Sequence, residues 1–439
     1  MSENVKIHVS AADSISDQPI TISVSGKSMQ RVTLHSHTTI DNGNAFECVA
    51  VYQADGKGNI DLHQSESLGG NYTGIEPMGL IWGMKPSPAN KKPFARFVKL
   101  DVTSPLVVRL RVYEESIFTL ERLSSGHVGE LASTQMNRWF MAKGTKRIPV
   151  TVKIDNNFSL NTKTCSPAVV VLFGGFPGTM EYKAALLSSH GFAAFALAFY
   201  GEPGLQPSDD LYSNGFDLDY FNKVFDYLSS VPSVDTRRGF GVCCISFSSF
   251  IVLTAAACLN RVSCVIWING FTQAIMMDLK YRGKKFIQYP EKNINFDALT
   301  VGEDGVSRLR GYFPWIDDPF APDAIVGLSD FYRRKNVSYL FIAGLNDENV
   351  ASEYWANQAE KLLKMANHPS YKILRYPGAG HLIEPPFAPH NAITAQKGQA
   401  IIMNWGGEMI PHCRAQEDSW TEQINFLREN LTGNLISKL

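Results

Sequence analysis

Phe240-Gly-Val-Cys-Cys-Ile-Ser-Phe-Ser-Ser-Phe250 decides how this chain is read. An apolar run stops abruptly at Ser246, and the Ala-rich segment Ile251-Val-Leu-Thr-Ala-Ala-Ala-Cys258 follows at once. A buried strand turning sharply into a helix has this pattern. Such a turn lifts a serine above the end of a sheet, normally within G-x-S-x-G, because bulky neighbours two residues away on either side would clash. Here those neighbours are Cys244 and Ser248, small but not glycine.

Strand and helix patterns alternate around this stretch from about residue 141. Val150–Ile154 reads as one strand and Ala168–Phe173 as a fully apolar one, followed by a helix near Tyr182–His190 and a strand over Phe192–Phe199. A helix over Leu218–Leu228 precedes the elbow, and Val265–Ile268 and Tyr339–Ile342 supply later strands. This alternation predicts a mostly parallel sheet covered on both faces. Between residues 271 and 335 the text turns irregular, with charges, aromatics and prolines, which places a lid insertion there.

In an α/β-hydrolase the catalytic groups follow the order nucleophile, acid, histidine. After Tyr339–Ile342 comes Ala343-Gly-Leu-Asn-Asp347, and after the strand pattern Tyr371–Tyr376 comes Pro377-Gly-Ala-Gly-His381. Ser246, Asp347 and His381 thus stand in the required order, each just past a strand. Serine is a poor nucleophile unless a base takes its proton, the role of His381, and Asp347 would hold the imidazole tautomer. Backbone donors for the oxyanion are expected from the amide of Phe247 and from the loop Gly174-Gly-Phe-Pro-Gly178. Pro177 has no N–H, which leaves Gly175 or Phe176.

Residues 1–140 read differently. Ile20, Ile22 and Val24, then Val32 and Leu34, then Phe46, Cys48, Ala50 and Tyr52, and later Val108, Leu110 and Val112 alternate with polar positions. Period-two runs separated by turn residues predict an all-β sandwich. His35 and His37 would share a strand face, and no metal site is expected from them. The fold class is therefore α/β: an α/β-hydrolase domain over 141–439 preceded by an all-β sandwich domain over 1–140.

At 439 residues, 44% hydrophobic and 19% charged, the chain can bury a large core, and its net charge of −1 leaves no footprint for nucleic acid or anionic membrane. Seven cysteines without C-x-x-C spacing, several in apolar segments, fit a reducing compartment. The N-terminus lacks the apolar core of a signal peptide, and no uninterrupted apolar run reaches the length of a membrane span. Ser437-Lys438-Leu439 reads as a peroxisomal address, with the import receptor as partner; with that signal inactive, the location is cytoplasmic.

Several blocks make the chain resemble the type I acyl-CoA thioesterases, a family that includes bile acid-CoA:amino acid N-acyltransferase. They are Gly69-Gly-Asn-Tyr-Thr-Gly-Ile-Glu-Pro-Met-Gly-Leu-Ile-Trp-Gly-Met-Lys-Pro86, Glu181-Tyr182, Gly191-Phe192-Ala193, Ala196-Leu-Ala-Phe-Tyr200, Ile268-Asn-Gly270, Glu384-Pro385-Pro386, Trp405-Gly-Gly-Glu408 and Ala415-Gln416. The resemblance spans nearly the whole chain and implies hydrolysis of fatty acyl-CoA to free acid and CoA, with the thioester as substrate and no cofactor. It also implies that Ser246, Asp347 and His381 are the family's triad. The acyltransferase branch uses cysteine, and Gly241-Val-Cys243 resembles its motif. That register, however, puts Ile245 two residues after the nucleophile and breaks the spacing to Ile268-Asn-Gly270. The reading is a thioesterase; the alternatives are an acyl-CoA:amino acid N-acyltransferase and a catalytically weak acyl-CoA-binding protein, suggested by the non-glycine elbow. Tyr281, Arg282, Lys284 and Lys285 are candidates for contacting the CoA phosphates.

Overall fold

The computed structural model describes residues 5–26, 30–114, 116–125, 128–151, 155–161, 165–289, 295, 298, 300–313, 318–395 and 401–432; Ser437-Lys438-Leu439 lies outside them. The chain forms two compact units, Met1–Phe140 with Glu384–Ile402 and Met141–Ile383 with Met403–Leu439.

The second unit is built on one nine-stranded sheet. Its order is Thr145–Thr151, Asp155–Asn161, Ala193–Leu197, Ser166–Leu172, Phe240–Ile245, Val262–Ile268, Ser338–Gly344 and Tyr371–Tyr376, with the short Val234–Asp235 beside Ser166–Leu172. The pairs that Asp155–Asn161 makes on its two sides are antiparallel, and from Ala193–Leu197 onward every pair is parallel. This is an α/β-hydrolase sheet, with the elbow strand Phe240–Ile245 near its middle. All six residues of that strand are buried, which is why it reads as an unbroken apolar run.

Two kinds of helix cover the sheet. Asp219–Ser230 buries only Phe221, Val224, Phe225 and Leu228, the i, i+3, i+4, i+7 stripe of a surface helix. Ser248–Cys258 is buried on all sides through Ala256 and carries no such stripe. Both contribute to the core that includes Phe240, Val242 and Cys244. Alternation puts Gly241 on the opposite face, where a Cβ would lie 2.9 Å from Leu427 Cδ2 and 3.0 Å from Leu431 Cδ1 of the helix Met409–Leu431.

Three features differ from the sequence expectation. Of the single strand expected over 150–154, residues 150 and 151 end the strand Thr145–Thr151, which pairs antiparallel with Asp155–Asn161, and residues 152–154 lie outside the described residues. The helix Ser208–Asn214 is short and opens on Ser-Asp-Asp, which reads locally as a turn. The 23-residue helix Met409–Leu431 was hidden because its buried face includes His412, Gln416, Ser419 and Gln423 among the apolar residues. The stretch expected as a lid holds the hairpin Leu279–Tyr281 with Lys284–Ile287, the hairpin Thr300–Val301 with Val306–Arg308, and the 3-10 turns Ile325–Gly327 and Asp330–Arg333.

In the first unit a three-stranded sheet (Lys6–Val9, Ile22–Ser25, Asn59–Asp61) accompanies a seven-stranded one, whose central strands are Arg31–Thr39, Ala45–Gln53 and Leu106–Tyr113. Val32, Leu34, Phe46, Cys48, Ala50, Val108, Leu110 and Val112 are buried, as the period-two pattern requires. Glu47 opposes His37 in register and bonds His35 Nε2 at 2.8 Å. No three metal-ligand side chains cluster among the described residues, and none of their helices is long and apolar enough to cross a membrane. Residues 384–402 join this unit through Arg96 Nη2 to Glu384 Oε1 at 2.8 Å and the Ala395 amide to Phe94 O at 2.7 Å.

The close approach at Gly241 yields a prediction. Gly241→Val should lower stability by about 1–3 kcal/mol through overpacking, read as a fall in the thermal midpoint. Leu427→Ala vacates the same space, so the double variant should lose less than the sum of the single losses. Strict additivity would show that the helix does not rest on this strand.

Candidate active site

Ser246 follows directly on the elbow strand with φ 58°, a left-handed conformation that costs a non-glycine residue about 1–3 kcal/mol. It is half-buried, whereas every other residue from Gly241 to Phe250 is buried. The turn closes through the Ser246 amide to Ile268 O at 2.9 Å and the Ser249 amide to Ser246 O at 3.0 Å. The two flanking side chains that replace glycine turn inward: Cys244 Sγ bonds Ile266 O at 3.4 Å and Ser248 Oγ bonds Ile245 O at 3.1 Å. Room for the serine comes instead from Gly174, where a Cβ would stand 2.9 Å from Ser246 Cβ.

Asp347 sits in the turn after the strand Ser338–Gly344, and its side chain is fully buried. Oδ1 accepts the amides of Asn349 and Val350, each at 2.8 Å. Oδ2 accepts the Ser352 hydroxyl and His381 Nδ1, the latter at 2.7 Å. With a carboxylate as partner, Nδ1 carries the ring hydrogen and Nε2 is left as the basic nitrogen. Trp405 stacks on the His381 ring at 5.5 Å and 14°, and Trp405 O takes the His381 amide at 2.7 Å. The acid–histidine half of the expected set is thus assembled. No hydrogen bond joins Ser246 Oγ to His381 in this structure; such contacts commonly tighten only when substrate binds.

Of the expected oxyanion donors, Phe247 belongs to the elbow turn and Gly175 lies beside it. A Cβ on Gly175 would lie 3.5 Å from Phe247 Cβ, so the glycine loop runs alongside the residue after the serine. Among the described residues the amides of Gly175, Phe176 and Phe247 have no hydrogen-bond acceptor. The Phe247 ring packs edge-on against Phe250 at 5.2 Å and Tyr212 at 6.1 Å, walling one side of the turn.

The charged candidates Arg282 and Lys284, with Tyr281 and Lys285, lie on the hairpin Leu279–Tyr281 and Lys284–Ile287 and its turn. There Arg282 takes φ 52° and Lys285 pairs with Asp278 at 2.5 Å.

Sequence reasoning missed four residues that support this set. Ser352 caps the acid, and Arg310 Nη1 donates to Asp347 O at 2.9 Å. His412 accepts the Gly380 amide on Nδ1 at 3.0 Å and donates Nε2–H to Leu382 O at 2.9 Å, bracketing His381. Asn269, at φ 45°, bonds the histidine loop and the acid strand. Only Asn269 left a local signal, an Asn-Gly pair at a strand end.

Cysteine is a poor alternative nucleophile at this turn. Cys243 and Cys244 are fully buried, and burial pushes the Cys243 thiol up to about 11 and that of Cys244 well above its ordinary range.

Residues 17–152 match the family model for the acyl-CoA thioester hydrolase/BAAT N-terminal region, and residues 216–433 match that for the BAAT/acyl-CoA thioester hydrolase C terminal. Acyl-coenzyme A thioesterase 2, mitochondrial, of Homo sapiens is 33% identical over 424 residues, covering 95% of this chain and 82% of that protein. Bile acid-CoA:amino acid N-acyltransferase of Homo sapiens is 31% identical over 442 residues, covering 99% and 100%. Among solved structures, Pyrococcus horikoshii acylaminoacyl peptidase aligns at a TM-score of 0.43 with 13% identity, covering 96% of this chain and 61% of that one. A dienelactone hydrolase-like promiscuous phosphotriesterase from metagenomic libraries aligns at 0.40 with 17% identity, covering 65% and 98%.

The burial of the elbow thiols is directly testable. In the native protein iodoacetamide at pH 8 should alkylate the exposed Cys165 first, and Cys243, Cys244 and Cys264 only after unfolding. Mass spectrometry showing rapid native modification of Cys243 would contradict the geometry.

Proposed function

The chain belongs to the acyl-CoA thioester hydrolase/BAAT family, and from that premise we propose that it hydrolyses acyl-CoA thioesters through an acyl-serine intermediate on Ser246. The observation that carries this reading is the pairing of a left-handed serine at the elbow with a buried, carboxylate-held histidine, while both neighbouring thiols are sealed in the core.

In the proposed first half-reaction Ser246 Oγ attacks the thioester carbonyl carbon as His381 Nε2 takes its proton. The carbonyl oxygen becomes an oxyanion facing the amides of Phe247 and of Gly175 or Phe176. Asp347, fixed by four donors, steadies the imidazolium without turning away. The C–S bond then breaks. The CoA sulfur, its thiol pKa about 8.5 by analogy with cysteine, leaves with little acid assistance, and the proton held on His381 Nε2 passes to the departing thiolate or to solvent, which returns His381 to its neutral form. Hydrolysis of the acyl-serine ester is the harder half: His381 Nε2 deprotonates water, which attacks the same carbon, and Ser246 recovers its proton.

The N-acyltransferase reading rests on the likeness to bile acid-CoA:amino acid N-acyltransferase and calls for an amine acceptor in place of water. Supplying acyl-CoAs of short, medium, long and branched chains, with and without glycine or taurine, separates the two. CoA and free acid should form without an amine, and amide formation that requires glycine or taurine would overturn the proposal. Ser246→Ala should lower kcat at least about 10⁴-fold and Asp347→Asn about 10³–10⁴-fold. Cys243→Ala and Cys244→Ala should stay within about threefold of the parent. Turnover surviving in Ser246→Ala but lost in a cysteine variant would remove serine from the role given it.

A further inference from the structure

The groups proposed above come from three separate strand ends, and packing alone does not fix their mutual distances. Ser246 follows Phe240–Ile245, Asp347 follows Ser338–Gly344, and His381 lies five residues past Tyr371–Tyr376. Between them, just past Val262–Ile268, stands Asn269, fully buried and left-handed at φ 45°. Its side chain spends all its main hydrogen-bonding directions on backbone of the other two segments. Nδ2 donates to Gly380 O at 3.0 Å and to His381 O at 2.7 Å, while Oδ1 accepts the Gly344 amide at 2.7 Å. Its own amide donates to Ile342 O at 3.0 Å, and the preceding carbonyl, Ile268 O, holds the Ser246 amide at 2.9 Å.

We propose that Asn269 is a positioning residue for the reaction assigned to this site, setting the reach of His381 toward Ser246 by tying the carbonyl of His381 to the strand end beside the serine. The inference rests on that functional reading and adds a role that none of the triad members performs. Three partners dictate the residue type. Two carbonyls require donors and one N–H requires an acceptor, which a short amide supplies from a single planar group. Aspartate has the same shape but would present a carboxylate oxygen to two carbonyls. Glutamine is one methylene too long for a backbone that already approaches this closely. The left-handed φ lets the side chain turn back across the strand ends, and asparagine tolerates it better than most residues. Neither Gly380 nor His381 lies in a strand or helix, so these bonds connect a loop to the sheet. Losing them leaves Trp405 and His412 to hold the loop from its other side. That would keep the loop folded while releasing the position of the ring.

The test compares Asn269→Gly, which suits the positive φ and deletes all three side-chain bonds, with Asn269→Asp, which keeps the shape and reverses the donors. Active sites are counted by fluorophosphonate labelling of Ser246, and kcat is expressed per labelled site so that misfolded protein does not enter. The expected result is a fall of about 10–100-fold in kcat per site with KM within about twofold, the Asp variant being worse than the Gly variant despite its closer shape. The low-field proton resonance of His381 Nδ1–H should shift or broaden in both. A merely structural role would lower the melting temperature and the labelled fraction but leave kcat per site and the resonance unchanged. That outcome, in either folded variant, overturns the proposal. Should the parent protein release no CoA, the functional reading fails by itself. The labelling rate of Ser246 and the proton resonance then decide the role of Asn269 by the same two criteria.

Discussion

A serine held at φ 58° at the end of a fully buried strand is the constraint on which the rest of this site is arranged. The conformation costs about 1–3 kcal/mol and persists only where the surroundings leave no cheaper alternative. Here the strand Phe240–Ile245 is gripped on both edges by parallel neighbours. The helix beginning at Ser248 is buried on all sides and cannot shift to relax the turn. The sheet and its elbow helix therefore force the serine hydroxyl out of the core, and every other element of the site must come to it. This accounts for the tight clearance at Gly174 as well: the loop that would receive the oxyanion can only approach because that residue has no side chain.

The acid–histidine pair obeys a different logic, one of saturation. A buried carboxylate without partners would be expensive, yet Asp347 meets two amides, a hydroxyl and an imidazole N–H. Three of these partners also serve a structural end, since Asn349 and Val350 lead into the helix Ser352–Met365 and Ser352 opens it. The bonds that fix the loop before this helix and the bond that orients His381 thus belong to one carboxylate.

Much of this was legible in the residues. Full burial on both faces makes the strands of a parallel sheet read as apolar runs, so Ser166–Leu172 and Phe240–Ile245 could be found without ambiguity. Ser246 and Asp347 stood out because each follows such a run within a few residues, whereas His381 follows the half-buried strand Tyr371–Tyr376 and stood out by the glycine-rich Pro377-Gly-Ala-Gly before it. What was not legible depends on distance in the chain. Ser352 is close in sequence to Asp347, but Arg310 and His412 reach the site from segments whose local text says nothing about it. The helix Met409–Leu431 escaped for a related reason. His412, Gln416 and Gln423 belong to its buried face, and polar residues there break the apolar stripe that marks a helix. The association of Glu384–Ile402 with the first unit is likewise a tertiary outcome: Pro385, Pro386 and Pro389 mark a break there but not the unit the segment joins.

The elbow's missing glycines show how the local rule and the tertiary solution differ. The requirement for glycine two residues either side of the nucleophile is a statement about volume, not about glycine as such. Cys244 and Ser248 satisfy it because each small side chain rotates into the core and finds a backbone carbonyl, Ile266 O and Ile245 O. The same inward rotation that makes Cys244 compatible with the turn removes its thiol from solvent, and burial then pushes the thiol far above the range in which a thiolate forms. A cysteine at this position can be tolerated by the elbow or be reactive, but not both. The substitution that weakens the sequence motif is therefore the one that leaves the hydroxyl of Ser246 as the group the turn presents.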